Sequence, residues 1–191
     1  MCKAITEETA KKLDSDPELS PQYKKGLIKL TPLTLYIDDG SLAASAPSRA
    51  EATKVVQMAF TAAHSWLKKR GLKTDQVKSD LMHFTKSRIG RNAGPGPAIT
   101  IPANEEGTTR TVVSNINPSN LMRYLGIWFD PQLKFTEHVK KTTAKAASAA
   151  HALRMLGNSE RGLHQTHLRQ MYIGAVLPIA LYGLPVFWRS K

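Results

Sequence analysis

The stretch Leu33-Thr34-Leu35-Tyr36-Ile37-Asp38-Asp39-Gly40-Ser41-Leu42-Ala43 constrains this chain more than any other. Apolar residues lead up to Ile37 and resume after Ser41, and Asp-Gly between two such runs is a strong hairpin signal. The hairpin puts two adjacent carboxylates, Asp38 and Asp39, at its tip. Successive strand residues face opposite sides of a sheet, so the two converge only if the turn twists them together. Carboxylates held close repel, and a hard divalent cation relieves that repulsion. Mg²⁺ takes one or two protein carboxylates and completes its shell with phosphate oxygens and water. Tyr-x-Asp-Asp at a hairpin tip therefore reads as a metal site for phosphoryl transfer, where paired ions clamp the attacking and leaving oxygens. The bland alternative is an ordinary turn, in which Asp bonds its own backbone and Gly supplies positive φ.

Charge narrows the choice. The chain of 191 residues carries a net charge of +12, which points to an anionic partner, nucleic acid first. From Pro131 to Lys191 nine Lys and Arg residues face two acids, so +7 of that charge lies in the last third. A hydrophobic fraction of 41% suffices for one domain, or one domain with a helical appendage. The single cysteine, Cys2, excludes an intrachain disulfide and makes a reducing compartment the default. No apolar leader and no membrane-length stretch is apparent, so the expectation is an intracellular protein, nuclear or cytoplasmic and not secreted.

Taken in order, residues 1–30 form a poorly defined segment, with a short helix over Thr6–Leu13 and loop from Ser15 to Gln22. After the hairpin, Ser48-Arg-Ala-Glu51 is a capping box. Ala52, Val55, Ala59, Ala62 and Trp66 then recur at helical spacing and serve as core, not ligands. Gly71 marks the stop after Lys68-Lys69-Arg70, a basic end that complements the helix dipole. Val77–Phe84 is read as the next strand, with Lys78 at its start. Arg88–Gly96 is a loop, and Ala98–Ile101 with Arg110–Ser114 form a short β pair around Asn104-Glu-Glu-Gly107. Tyr124–Asp130 is a further strand in which Gly126 allows close backbone approach. Thr136 caps a helix to Leu156 with Val139, Ala146, Ala150 and Leu153 on its apolar stripe and Lys140, Lys141 and Lys145 on the other side. A second helix runs from Arg161 to Val176 and is ended or kinked by Pro178. The apolar terminus Leu177–Trp188 must dock. His164 and His167 stand three apart without a third ligand and are read as surface or interface residues.

Four blocks occur in one order: Tyr36-Ile-Asp-Asp39; Trp66-Leu…Gly71-Leu72 leading to Lys78-Ser-Asp80; Tyr124-Leu-Gly-Ile-Trp-Phe-Asp130; and Leu181-Tyr-Gly-Leu-Pro185…Trp188. Together they resemble reverse transcriptases of non-LTR (LINE-type) retrotransposons, specifically the C-terminal palm and thumb portion. The resemblance implies an α+β fold: a partial polymerase palm of β-hairpins and a small antiparallel sheet with a packed helix over 31–130, then a helical thumb over 131–191. It also implies RNA-directed DNA polymerase chemistry, a nucleotidyl transfer to a primer 3′-OH. On that pattern Asp38 and Asp39 are catalytic and hold Mg²⁺, and Lys78 assists pyrophosphate departure. Tyr36 belongs to the substrate-binding hairpin, and Tyr124, Leu125 and Gly126 to the primer grip. Lys140, Lys141, Lys145, Arg154, Arg161 and Arg169 fall on the part that grips the duplex by its backbone. The implied partners are an RNA/DNA template–primer duplex and a dNTP, with no membrane.

The departures set further expectations. The family's site needs another aspartate on an earlier palm strand and a Gly-rich template motif, and residues 1–35 match neither; Asp14 and Asp16 sit in a Ser/Pro loop. Asp75 stands where the family often has Asn. The chain is therefore expected to be inactive alone, with weak Mg²⁺ binding. Two alternatives follow from the same residues: a non-catalytic nucleic-acid-binding protein, or an interaction protein whose exposed palm surface a partner chain covers.

Overall fold

The computed structural model describes residues 2–72, 74–75, 78–85, 96–103, 112–157 and 162–188. Its architecture is mixed α+β, with small antiparallel sheets and several helices, arranged as two compact units, Met1–Ser119 and Asn120–Lys191.

In the first unit, α1 (Cys2–Ser15) and α2 (Ser20–Lys24) precede the hairpin of β1 (Lys29–Tyr36) and β2 (Asp39–Ser45). The helix expected over Thr6–Leu13 is present and longer, and the expected loop from Ser15 to Gln22 is a turn that leads into α2. Ile5, Leu13, Leu19 and Ile28 are all 1% exposed or less, Ile5 in one cluster of buried residues and the other three in a second. Burying each contributes about 1.5–3 kcal/mol. Asp16 supports the α1–α2 corner by accepting from the Glu18 and Leu19 amides.

Helix α3 (Arg49–Lys68) is the spine of this unit. Its capping box is present: the Glu51 amide donates to Ser48 Oγ at 3.2 Å, and the Ser48 amide donates to Glu51 Oε2 at 3.0 Å. The far end closes as a Schellman motif. Leu72 N–H donates to Leu67 O, Gly71 N–H donates to Lys68 O, and Gly71 supplies the positive φ of 73° that this geometry needs. Between the ends, Val55, Ala59, Ala62 and Ala63 are buried. Ala62 and Ala63 pack with Ile5 and Leu33, joined by Cys2, Leu42 and Trp66. Val55 packs with Leu13, Leu19 and Ile28, joined by Leu30 and Ala44. On another side, Val56 and Phe60 pack against Leu81, Ile99 and Ile116. There β3 (Ile99–Ala103) pairs with β4 (Val112–Ile116), and the Gln57 amide clasps the Thr100 backbone, donating to its O and accepting from its N. The core role of the stripe is borne out.

One expectation for this unit needs correction. Residues 78–85 form no strand; Leu81 alone makes an isolated bridge, to Pro118. The polar run Lys78-Ser79-Asp80 has no apolar alternation to hold it on a sheet, and Asp75 gathers it into a turn instead, accepting from the Ser79 hydroxyl at 2.8 Å. Val77, the 88–95 loop and the 104–107 turn lie outside the described residues.

In the second unit, the 124–130 segment is a hairpin rather than one strand: β5 (Met122–Tyr124) pairs with β6 (Ile127–Phe129) through the turn Leu125-Gly126. Both turn residues have positive φ, 47° and 80°, as the primed hairpin turns require. Helix α4 (Thr136–Leu156) follows, but Thr136 is not its cap. Asp130 organises the approach, accepting from the amides of Gln132, Lys134 and Phe135. The buried side of α4 carries Phe135, His138 and Ala146, whereas Val139 is 44% exposed. The next helix, α5 (Gln165–Met171), starts at a His164 cap rather than at Arg161, which lies outside the described residues. It passes through a π-turn (Tyr172–Val176) into α6 (Leu177–Ala180), so Pro178 does not end it. The wider turn accommodates a proline that has no N–H to donate. A last short helix, α7 (Leu184–Phe187), completes the described terminus.

Candidate active site

The carboxylates stand where the base of the hairpin puts them. Ile28 is anchored in the core, and Leu30 pairs with Ala44. The midpoint of that span is Ile37, so the turn falls on Ile37-Asp38, and Tyr36 pairs with Asp39. Asp39-Gly40 therefore opens β2 instead of forming the turn. A bulge between Thr31 and Thr34, at Pro32, absorbs the odd residue. Ile37 takes φ of 58° and is 88% exposed. A β-branched residue there is a backbone outlier, at a cost of roughly 1–3 kcal/mol.

This turn sets the geometry of the tip. Asp38 occupies the second turn position, and Asp39 lies across from Tyr36 on the face that also carries the Thr34–Ser41 hydroxyl pair, 2.6 Å apart. Both carboxylates are exposed, and neither is ion-paired to a described residue. Two unpaired carboxylates with open space around them fit a cation that keeps much of its water and phosphate shell. Among the described residues no group of three or more His, Cys, Asp and Glu side chains could hold a metal.

Lys78 is exposed and turned to its own loop: Nζ lies 3.3 Å from Asp75 Oδ2. Asp75 thus acts as a local partner for the lysine. An exposed pair of this kind is easily opened.

Tyr124, Leu125 and Gly126 are held by residues that sequence reasoning passed over. The Tyr182 hydroxyl donates to Leu125 O at 2.7 Å, and a Cβ on Gly126 would lie 2.9 Å from that hydroxyl. His138, fully buried, joins three elements. Its Nδ1 accepts from Trp128 N–H at 3.4 Å, so Nε2 carries the proton and donates to Tyr182 O at 2.9 Å. Phe187 stacks on Phe135 and meets the His138 ring edge-on, which docks the apolar terminus. The sequence signal for His138 was its place on the stripe with Phe135 and Ala146.

The basic residues do not share one face. At 3.6 residues per turn, Lys140 and Lys145 point about 140° apart around α4. Lys140 lies 3.9 Å from Glu137, and Lys141 Nζ sits 3.2 Å over the Trp128 ring. Lys145, Arg154 and Arg169 are exposed. His164 and His167 are exposed as expected, ring centroids 6.2 Å apart, with His164 Nδ1 capping α5.

Comparison with known proteins bears out the resemblance to the reverse transcriptase of a non-LTR retrotransposon. The chain is similar to a transposon-encoded polymerase. The relative is described as "Probable RNA-directed DNA polymerase from transposon BS" of Drosophila melanogaster, 28% identical over 155 residues, or 81% of this chain. The chain spans 16% of the length of that relative. No family model and no solved structure matches. Among the described residues no helix is long and apolar enough to cross a membrane.

Proposed function

We propose that the chain is a palm-and-thumb piece of an RNA-directed DNA polymerase, in which the Tyr36–Asp39 tip presents Asp38 and Asp39 to Mg²⁺. The observation that carries this is the tip itself: a turn held at positive φ by a non-glycine residue, delivering adjacent unpaired carboxylates to solvent. When bound, the metal supplies charge neutralisation on the transferred phosphate. Asp38 and Asp39 hold it, and Lys78, released from Asp75, donates a proton or hydrogen bond toward the leaving pyrophosphate. The Leu125-Gly126 turn, pinned by Tyr182, offers a fixed backbone to the primer end. Lys140, Lys141, Lys145, Arg154 and Arg169 neutralise duplex phosphates, with Arg161 as a further candidate by sequence.

Two carboxylates cannot hold two ions in line, so the 191-residue chain alone binds duplex without extending a primer. This favours nucleic-acid binding without catalysis as the activity of the isolated chain. Primer extension on an RNA template with Mg²⁺, read beside duplex anisotropy, tests it. Binding without extension is expected. Extension lost in Asp38→Ala would mean that another carboxylate completes the site.

A further inference from the structure

The three basic residues at the end of α3 are not needed to cap its last carbonyls. The Schellman motif already supplies Leu72 and Gly71 N–H donors to the last carbonyls. Among the described residues Lys68, Lys69 and Arg70 make no ion pair, and all three are exposed. Arg70 lies over the Trp66 ring, its Cζ 3.5 Å from the ring centroid, and one Nη donates weakly to Trp66 O at 3.4 Å. A guanidinium held this way keeps its other N–H donors facing outward in a fixed fork.

Packing fixes where this cluster stands. Helix α3 starts beside the base of the hairpin, where Val55 packs with Leu30 and Ala44. Its twenty residues span about 30 Å, enough to return along the whole hairpin. Trp66 accordingly packs on the cluster that holds Leu33, as does Leu42, further along the hairpin toward the tip than Leu30 and Ala44. The basic end of α3 and the Asp38–Asp39 tip therefore occupy the same end of the first unit. Lys24 and Lys25 follow Tyr23, which packs on the cluster at the opposite end.

We infer that Lys68, Lys69 and Arg70 form a phosphate-binding rim beside the carboxylate tip, contacting the oxygens of a nucleic-acid backbone or of a nucleoside triphosphate. This deepens the polymerase reading and rests on it. Negative tip and positive rim divide the work: the tip takes a cation, and the rim takes the phosphate charge that arrives with it.

The test compares Lys68→Glu/Lys69→Glu with Lys24→Glu/Lys25→Glu, an equal charge change at the far end. Each full-length variant is titrated with a labelled RNA/DNA duplex across a salt series, and separately with a dNTP in Mg²⁺. The rim variant should bind duplex several-fold more weakly than the far-end variant, with its log–log salt slope smaller by about 2. A selective loss confined to the dNTP titration would assign the rim to the triphosphate instead of the backbone. Lys68→Gln/Lys69→Gln, expected to show a smaller selective loss, guards against misfolding of the reversed-charge variant. Equal losses for rim and far-end variants in both titrations would overturn the rim while leaving the polymerase reading intact. No binding of either ligand by the unaltered chain would overturn both.

Discussion

Single residues fix the two turns that carry the candidate site. At the β1–β2 tip it is Ile37, held at a φ of 58° that its branched side chain disfavours. Strain at an exposed tip persists only where the surrounding pairing over-determines it, and the Leu30–Ala44 register does so. At the β5–β6 turn it is His138, which satisfies Trp128 N–H and Tyr182 O from one buried ring. Replacing His138 with Ala leaves both groups unpaired and opens a cavity. The expected cost is about 2–4 kcal/mol, read as a shift in the urea unfolding of the second unit by tryptophan fluorescence. An unchanged transition would show that the histidine does not join these elements. The tip carboxylates were legible in the sequence because hairpin and motif are local signals. His138 was not, because a lone histidine on a helix stripe becomes a hub only when a segment 44 residues away folds back onto it.

Among the elements, α3 is the one most fully written in local sequence. Its capping box, apolar stripe and glycine stop each depend on residues within one or two turns, and all three are found. Hydrogen bonds from Gln22 and then Ser48 hold the Glu51 carboxyl below the ordinary glutamate range. A folded-state value below the unfolded one stabilises the protein above the unfolded value near 4.3 and is lost as pH falls through the folded value. Glu51→Gln should therefore be less stable than the unaltered chain at neutral pH, and the gap should narrow as pH falls below the ordinary glutamate range and through the folded value. Denaturation series at the two pH values check this, and a gap that stays constant would contradict it. Elements defined by distant partners were less legible. The tip turn lay two residues from its expected place because the hairpin's base sets its register, and 78–84 failed as a strand because Asp75 captures Lys78 and Ser79.

At the scale of the whole molecule, charge and motif order point to a polymerase of this kind, and the chain is similar to the Drosophila polymerase over 81% of its length. The distribution of charge was coarser than the sequence suggested. The lysines of α4 spread around the helix, with Lys141 engaged on Trp128, while three consecutive basic residues, Lys68, Lys69 and Arg70, stand exposed at the end of α3. The proposed function stands or falls on Asp38 and Asp39 forming a cation site. Its most direct test is the paramagnetic broadening of backbone amide signals on adding Mn²⁺ in place of Mg²⁺, in the unaltered chain and in Asp38→Asn/Asp39→Asn. Weak, saturable broadening centred on residues 36–41 and abolished in the double variant is expected. Broadening that spares the tip, or survives the loss of both carboxylates, would contradict it.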